Sequence, residues 1–151
     1  TARARLGEAG IKACFFIQFG YPGETWDDIQ LTFDLIKDAA PDSIGVSVSY
    51  PLPGTRFHEM VKMQLGEKTN WVDSDELAMM FQGAYQTPFY KKLHRVLHLH
   101  LDRVHGKAAP EFEAEYALLM GLEADCRNAN PTVIVKDYSE PAQPDLTRMW
   151  N

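Results

Sequence analysis

Cysteine is scarce. Cys14 and Cys126 are the only two in 151 residues. That is too few for a disulfide framework, for a four-cysteine metal site or for an iron–sulfur cluster held by one chain. It points to a reducing compartment, and the cytoplasm is the expected location. Basic residues are also in deficit: Lys+Arg total 15 against 21 Asp+Glu, a formal charge of -6. A nucleic-acid surface needs clustered Lys/Arg to neutralise phosphates, so no nucleic-acid partner is expected. No apolar run approaches the ~20 residues of a membrane span. Internal repeats and low-complexity tracts are absent too.

The rest is ordinary globular composition, with 45% hydrophobic and 24% charged residues. The length suits one domain, or a small domain with an extension. Thr1 to Gly10 reads as the tail of a helix, with Gly10 where a C-cap belongs. The expectation is a piece of a longer protein.

Ile11 to Phe19 is a nearly continuous apolar run, which suits a strand buried on both faces of a parallel sheet. After the Gly20-Tyr21-Pro22-Gly23 turn, Thr25 and Asp28 form a capping-box pair. Ile29, Phe33, Ile36 and Ala40 then make one helical stripe that Pro41 ends. Ile44, Val46, Val48 and Tyr50 alternate with Ser43, Gly45, Ser47 and Ser49, a strand pattern. The Pro51-Leu52-Pro53-Gly54 loop leads to a short helix reaching about Leu65. Strand, helix, strand and helix joined by short loops predict a parallel βαβ unit.

Beyond Gly66 the pattern predicts helices only. One is capped by Asp73 and Glu76 and carries Leu77, Met80, Phe81 and Ala84. A second has Thr87 as its N-cap and Pro88 at its first position and runs to about His105. A third starts at Pro110, with Phe112, Tyr116, Leu119 and Cys126 on one side. Thr132 to Val135 suits a short strand, and the segment from Ser139 reads as a tail. The divisions expected are 1–66, 67–138 and 139–151.

The second strand bears most directly on chemistry. With its branched side chains toward a covering helix, Gly45, Ser47 and Ser49 face the other way. A wall built for stability alone favours bulky residues there. On the first strand, Cys14, Phe16 and Gln18 share one face, and Gln18 needs a partner if buried. These residues either bond within the protein or line a ligand cavity, because strand C-terminal ends are where α/β folds bind. The Gly20–Gly23 turn resembles a phosphate cradle, but Glu24, Asp27 and Asp28 oppose an anion there. A tight strand-to-helix turn is the simpler reading. His94 and His98 stand four apart with Lys91, Arg95, Asp102 and His105 on the same side, which reads as a solvated polar face. No metal ligand is assigned within the chain. Trp26 and Trp71 read as packing residues, Met60, Met63, Met79 and Met80 as gap-fillers, and Cys14 as a small buried hydrophobe.

The run from Gly10 to Thr25, with Gly20-Tyr21-Pro22-Gly23-Glu24-Thr25 at its end, resembles the fifth-strand region of radical S-adenosylmethionine enzymes. Tyr50-Pro51-Leu52-Pro53-Gly54-Thr55 is similar to the loop ending the next strand in that family. The likeness covers about residues 1–65. Trp71 and the helix from Thr87 resemble, more distantly, the segment after the barrel in cobalamin-binding-type members.

The resemblance implies an α/β fold: parallel strand–helix units forming the last part of a partial (β/α) TIM-like barrel, followed by an α-helical extension. It implies S-adenosylmethionine and a [4Fe–4S] cluster as cofactors, with cobalamin a further candidate. It implies reductive cleavage to a 5′-deoxyadenosyl radical that takes hydrogen from a small-molecule substrate. The cluster-binding three-cysteine motif is missing here, so the ligands would lie outside this chain and the chain alone would be inactive. Carried over, cofactor contacts fall on Gln18, Gly20, Gly23, Glu24, Tyr50 and Pro51, and the cavity reading adds Ser47 and Ser49. No catalytic residue is assigned. The alternative is a non-catalytic α/β interaction module. Unpaired strand edges would in either case favour self-association.

Overall fold

A computed structural model describes residues 2–66 and 77–129. The element order is α1 (Ala2–Glu8), β1 (Cys14–Phe19), α2 (Trp26–Ala39), β2 (Ser43–Val48), α3 (Arg56–Leu65), α4 (Thr87–Val104) and α5 (Phe112–Ala129). The fold is α/β. Among the described residues the sheet is two parallel strands in register, Cys14 against Ser43 through Phe19 against Val48, and does not close into a barrel. Ser49 N–H donates to the Phe19 carbonyl at 2.6 Å and carries the pairing one step further.

Local chemistry explains the crossover helix. Thr25 Oγ1 accepts from Asp28 N–H, and the Asp28 carboxylate accepts from Thr25 N–H at 2.8 Å, closing the capping box. Ile29, Phe33 and Ile36 are buried. Ala40 does not extend the stripe: it is the C-cap, at φ 44°, and leaves the helix left-handed before Pro41. Thr55 caps α3 in the same manner as Thr25 caps α2, accepting from His58 N–H at 3.1 Å.

The main core joins one sheet face to three helices. Phe19, Ile44 and Val48 meet Ile29, Phe33 and Ile36 of α2, then Phe89, Leu93, Val96 and Leu97 of α4, with Leu119 and Cys126 of α5 behind. A smaller cluster gathers Phe57, Val61, Leu65, Met80 and Phe81. The α4 helix is central because it is apolar on more than one side: Tyr90, Leu99 and Leu101 are buried as well as Phe89, Leu93, Val96 and Leu97.

Several expectations fail for physical reasons. The first strand starts at Cys14, and Ile11 to Ala13 is not strand. It is buried on one face only, because the helices cover one side of the sheet. Cys14, Phe16 and Gln18 are exposed, and Phe16 keeps 88% of its surface. Cys14 is therefore not a buried hydrophobe. Tyr50 lies beyond β2 and packs against the Phe57 cluster. The helix expected through Leu77, Met80, Phe81 and Ala84 does not form over 77–86, which is irregular chain. Met80 and Phe81 are buried there without helical spacing. Thr87 is the first residue of α4 and not its cap; Gln86 takes that place, and Thr87 Oγ1 accepts instead from Met79 N–H at 2.9 Å. Met60 and Met63 are exposed, so they fill no gap. Asp73, Glu76, Trp71, the strand at Thr132–Val135 and the tail from Ser139 lie outside the described residues.

Candidate functional site

The turn between β1 and α2 is fixed by Glu24. Gly20 and Gly23 stand at φ 81° and 89°, which lets the chain reverse sharply. Gly20 N–H then donates to both Glu24 carboxylate oxygens, at 3.0 and 3.1 Å. The Tyr90 hydroxyl of α4 donates to Glu24 Oε2 at 2.8 Å. Burial pushes the Glu24 carboxyl up to about 7. The Tyr90 and Gly20 hydrogen bonds pull it down but do not win, and Asp28 adds to the rise. Burial also pushes the Tyr85 and Tyr90 phenols up. Glu123 and Glu24 reinforce this at Tyr85, and Glu24 does so at Tyr90.

The eight residues expected at a cofactor lie in three neighbouring places. Gln18 and Ser47 are register partners on the uncovered sheet face, with Phe16 opposite Gly45 one pair away on that face. The ring of Phe16 lies over Gly45, 3.1 Å from where a Cβ would stand. Neither the Gln18 side chain nor the Ser47 hydroxyl makes a hydrogen bond among the described residues. Ser49 follows at the end of the same strand, held by its backbone. Gly23 and Glu24 border a cleft of about 570 Å³ that no strand residue lines. Gly20 faces inward, toward Met79 and Tyr90. Tyr50 and Pro51 border a separate cavity of about 200 Å³ with Pro53, His58, Lys62 and Met80.

The sequence pattern misses several residues that build this region. Tyr90 was legible only as an aromatic in a helix, since its partner Glu24 lies 66 positions away. Trp26, Tyr85, Glu123 and Arg127 meet in the larger cleft. Of these, the Glu123–Arg127 spacing of four was the one local signal available.

The histidines of α4 and its cap make both local and long-range contacts. The His94 and His98 rings lie 4.5 Å apart, and burial, with His94 beside it, holds the His98 imidazole below its usual range. His100 Nε2 donates to the Phe33 carbonyl at 3.1 Å and His105 Nε2 to that of Pro41 at 2.8 Å, tying α4 and its cap to the middle of α2 and to the chain just beyond it. Among the described residues, no group of three or more His, Cys, Asp or Glu could hold a metal ion. No helix among them is long and apolar enough to cross a membrane. No family model, curated protein or solved structure matches the chain.

Proposed function

We propose that this chain supplies the last strand–helix units of a partial (β/α) barrel in a radical S-adenosylmethionine enzyme of the cytoplasm. The observation that carries the proposal is the uncovered sheet face. In such a barrel the helices pack outside and the opposite strand face lines the interior. Here that face is small and polar along β2, with Gly45 and Ser47, and it bears Phe16 and Gln18 along β1.

The residues present fit a nucleoside. Gln18 offers an amide and Ser47 a hydroxyl that no other described residue uses, and both stand toward the strands' C-terminal ends. The Phe16 ring, 88% exposed, is a surface on which a base can stack. In this reading Gln18, Ser47 and Ser49 orient the nucleoside. Gly20, Gly23 and Glu24 hold the turn at its edge, and Tyr50 and Pro51 close the neighbouring strand end. The iron–sulfur ligands would come from outside the described residues, and cobalamin is a further candidate cofactor. When bound and reductively cleaved, S-adenosylmethionine supplies a 5′-deoxyadenosyl radical that takes hydrogen from a small-molecule substrate.

A second reading, a non-catalytic interaction module, is favoured by the same exposed Phe16, which suits a protein contact as well as a base. Ser47→Phe in the full-length protein separates the two. The enzymatic reading expects loss of S-adenosylmethionine cleavage, while Ser43→Phe, at the other end of the strand, retains it. Unchanged cleavage in Ser47→Phe would reject the placement of the nucleoside. Absence of cleavage in the unaltered protein would favour the module.

A further inference from the structure

The cleft of about 570 Å³ has a use that the sheet face does not require. Its walls come from the turn before α2 and the start of that helix, from Gln64 of α3, from Gln82 to Tyr85 and from the last turns of α5. The volume is that of a small-molecule site. Two aromatic side chains, Trp26 and Tyr85, form an apolar wall. Both rest on the fully buried Phe89: Tyr85 stacks on it at 4.0 Å between ring centroids, and Trp26 meets it edge-on at 6.5 Å. The rings are therefore fixed before any ligand arrives, which lowers the entropic cost of binding.

The polar lining is unbalanced in charge. Asp27 and Glu123 set two carboxylates against the single guanidinium of Arg127, and Glu24, whose carboxyl burial pushes up, adds a third acid. Glu123 is 3% exposed, yet its ion-pair partner Arg127, at 2.9 Å, has a side chain 70% exposed. A buried carboxylate facing a cavity is thus neutralised by a cation that reaches it from solvent and can swing away. An anionic ligand would meet a net negative surface. A cation with an apolar body would satisfy both the carboxylates and the aromatic wall.

We propose that this cleft binds a small organic cation, an ammonium carried on an apolar body, with Glu123 as counter-charge, Trp26 and Tyr85 as the apolar wall and Arg127 as the displaceable competitor. The proposal does not rest on the radical-enzyme reading: Gly23 and Glu24 border the cleft, but its counter-charge and apolar wall, Glu123, Trp26 and Tyr85, take no part in that reading.

The test is a titration of the ¹⁵N-labelled chain with benzylammonium, benzyl alcohol and benzoate, followed by amide shifts. Benzylammonium is expected to bind saturably, moving the amides of Trp26, Tyr85, Glu123 and Arg127, with benzyl alcohol about tenfold weaker and benzoate weaker still. Glu123→Gln is expected to weaken benzylammonium about tenfold. Because that buried change can also disturb folding, two surface variants stand beside it. Arg127→Ala removes the competitor and is expected to tighten benzylammonium several-fold, and Asp27→Asn to weaken it about twofold. Equal or tighter binding of benzoate, weakening in Arg127→Ala, shifts confined to other residues or no saturable binding of benzylammonium would each overturn the proposal.

Discussion

The Tyr90 hydroxyl reaches across the fold to Glu24, donating to Oε2 at 2.8 Å, and so ties the first strand-to-helix turn to the middle of the helical layer. The same carboxylate holds Gly20 N–H. One acidic side chain therefore fixes both the geometry of the turn and the seat of α4. Its own ionisation must couple to stability.

Glu24 has its folded-state carboxyl raised from 4.5 to about 7. A raised acid binds its proton more tightly in the folded state, so its contribution is fully present below pH 4.5 and is lost as pH rises toward 7. The loss over that window is roughly 3 kcal/mol at 1.36 kcal/mol per unit. Urea unfolding at several pH values should show this decline in the unaltered chain and its disappearance in Glu24→Gln. Tyr90→Phe, which removes a bond that lowers the Glu24 value, should raise the midpoint of the decline further and cost about 1 kcal/mol.

Gly20 combines φ 81° with a crowded inner side, where an added Cβ would lie 3.0 Å from Met79 Sδ. Gly20→Ala should cost about 1–2 kcal/mol from backbone strain, with more if Met79 cannot move. Gly54→Ala is a control for space, since φ is 84° there but nothing lies within 4 Å. Thermal unfolding of the pair should show the larger loss at Gly20.

Phe16 projects from a two-stranded sheet with 88% of its surface exposed. The isolated chain should self-associate through this face and its strand edges. Light scattering should find a lower mass for Phe16→Asp than for the unaltered chain, with stability changed by less than about 0.5 kcal/mol. A monomer in both would count against association through this face.

Short-range chemistry carried most of what could be read from the chain alone. The Thr25–Asp28 box, the Ile29/Phe33/Ile36 stripe and the Ile44/Val46/Val48 alternation are local patterns, and each forms the expected element. The apolar run at β1 was harder. Phe15, Phe16 and Ile17 carry no periodicity, and only the placement of the helices decides that Phe16 stays outside. Met80 and Phe81 misled because two buried side chains satisfy a helical stripe as readily as an irregular segment folded against α3. At the candidate site, the Gly20–Glu24 turn was visible because its partners are adjacent in sequence. Tyr90, Tyr85 and Glu123 were not, because their roles arise where distant parts of the chain meet, at the turn before α2 and along the cleft beside it.

The proposal of a radical-generating barrel puts the open face of Gln18, Gly45 and Ser47 on its interior. Its most direct test is anaerobic reconstitution of the full-length gene product with iron, sulfide and a low-potential reductant, followed by chromatographic measurement of 5′-deoxyadenosine from added S-adenosylmethionine. The prediction is 5′-deoxyadenosine formed only in the reconstituted, reduced protein. A protein that incorporates no cluster and releases none would contradict it.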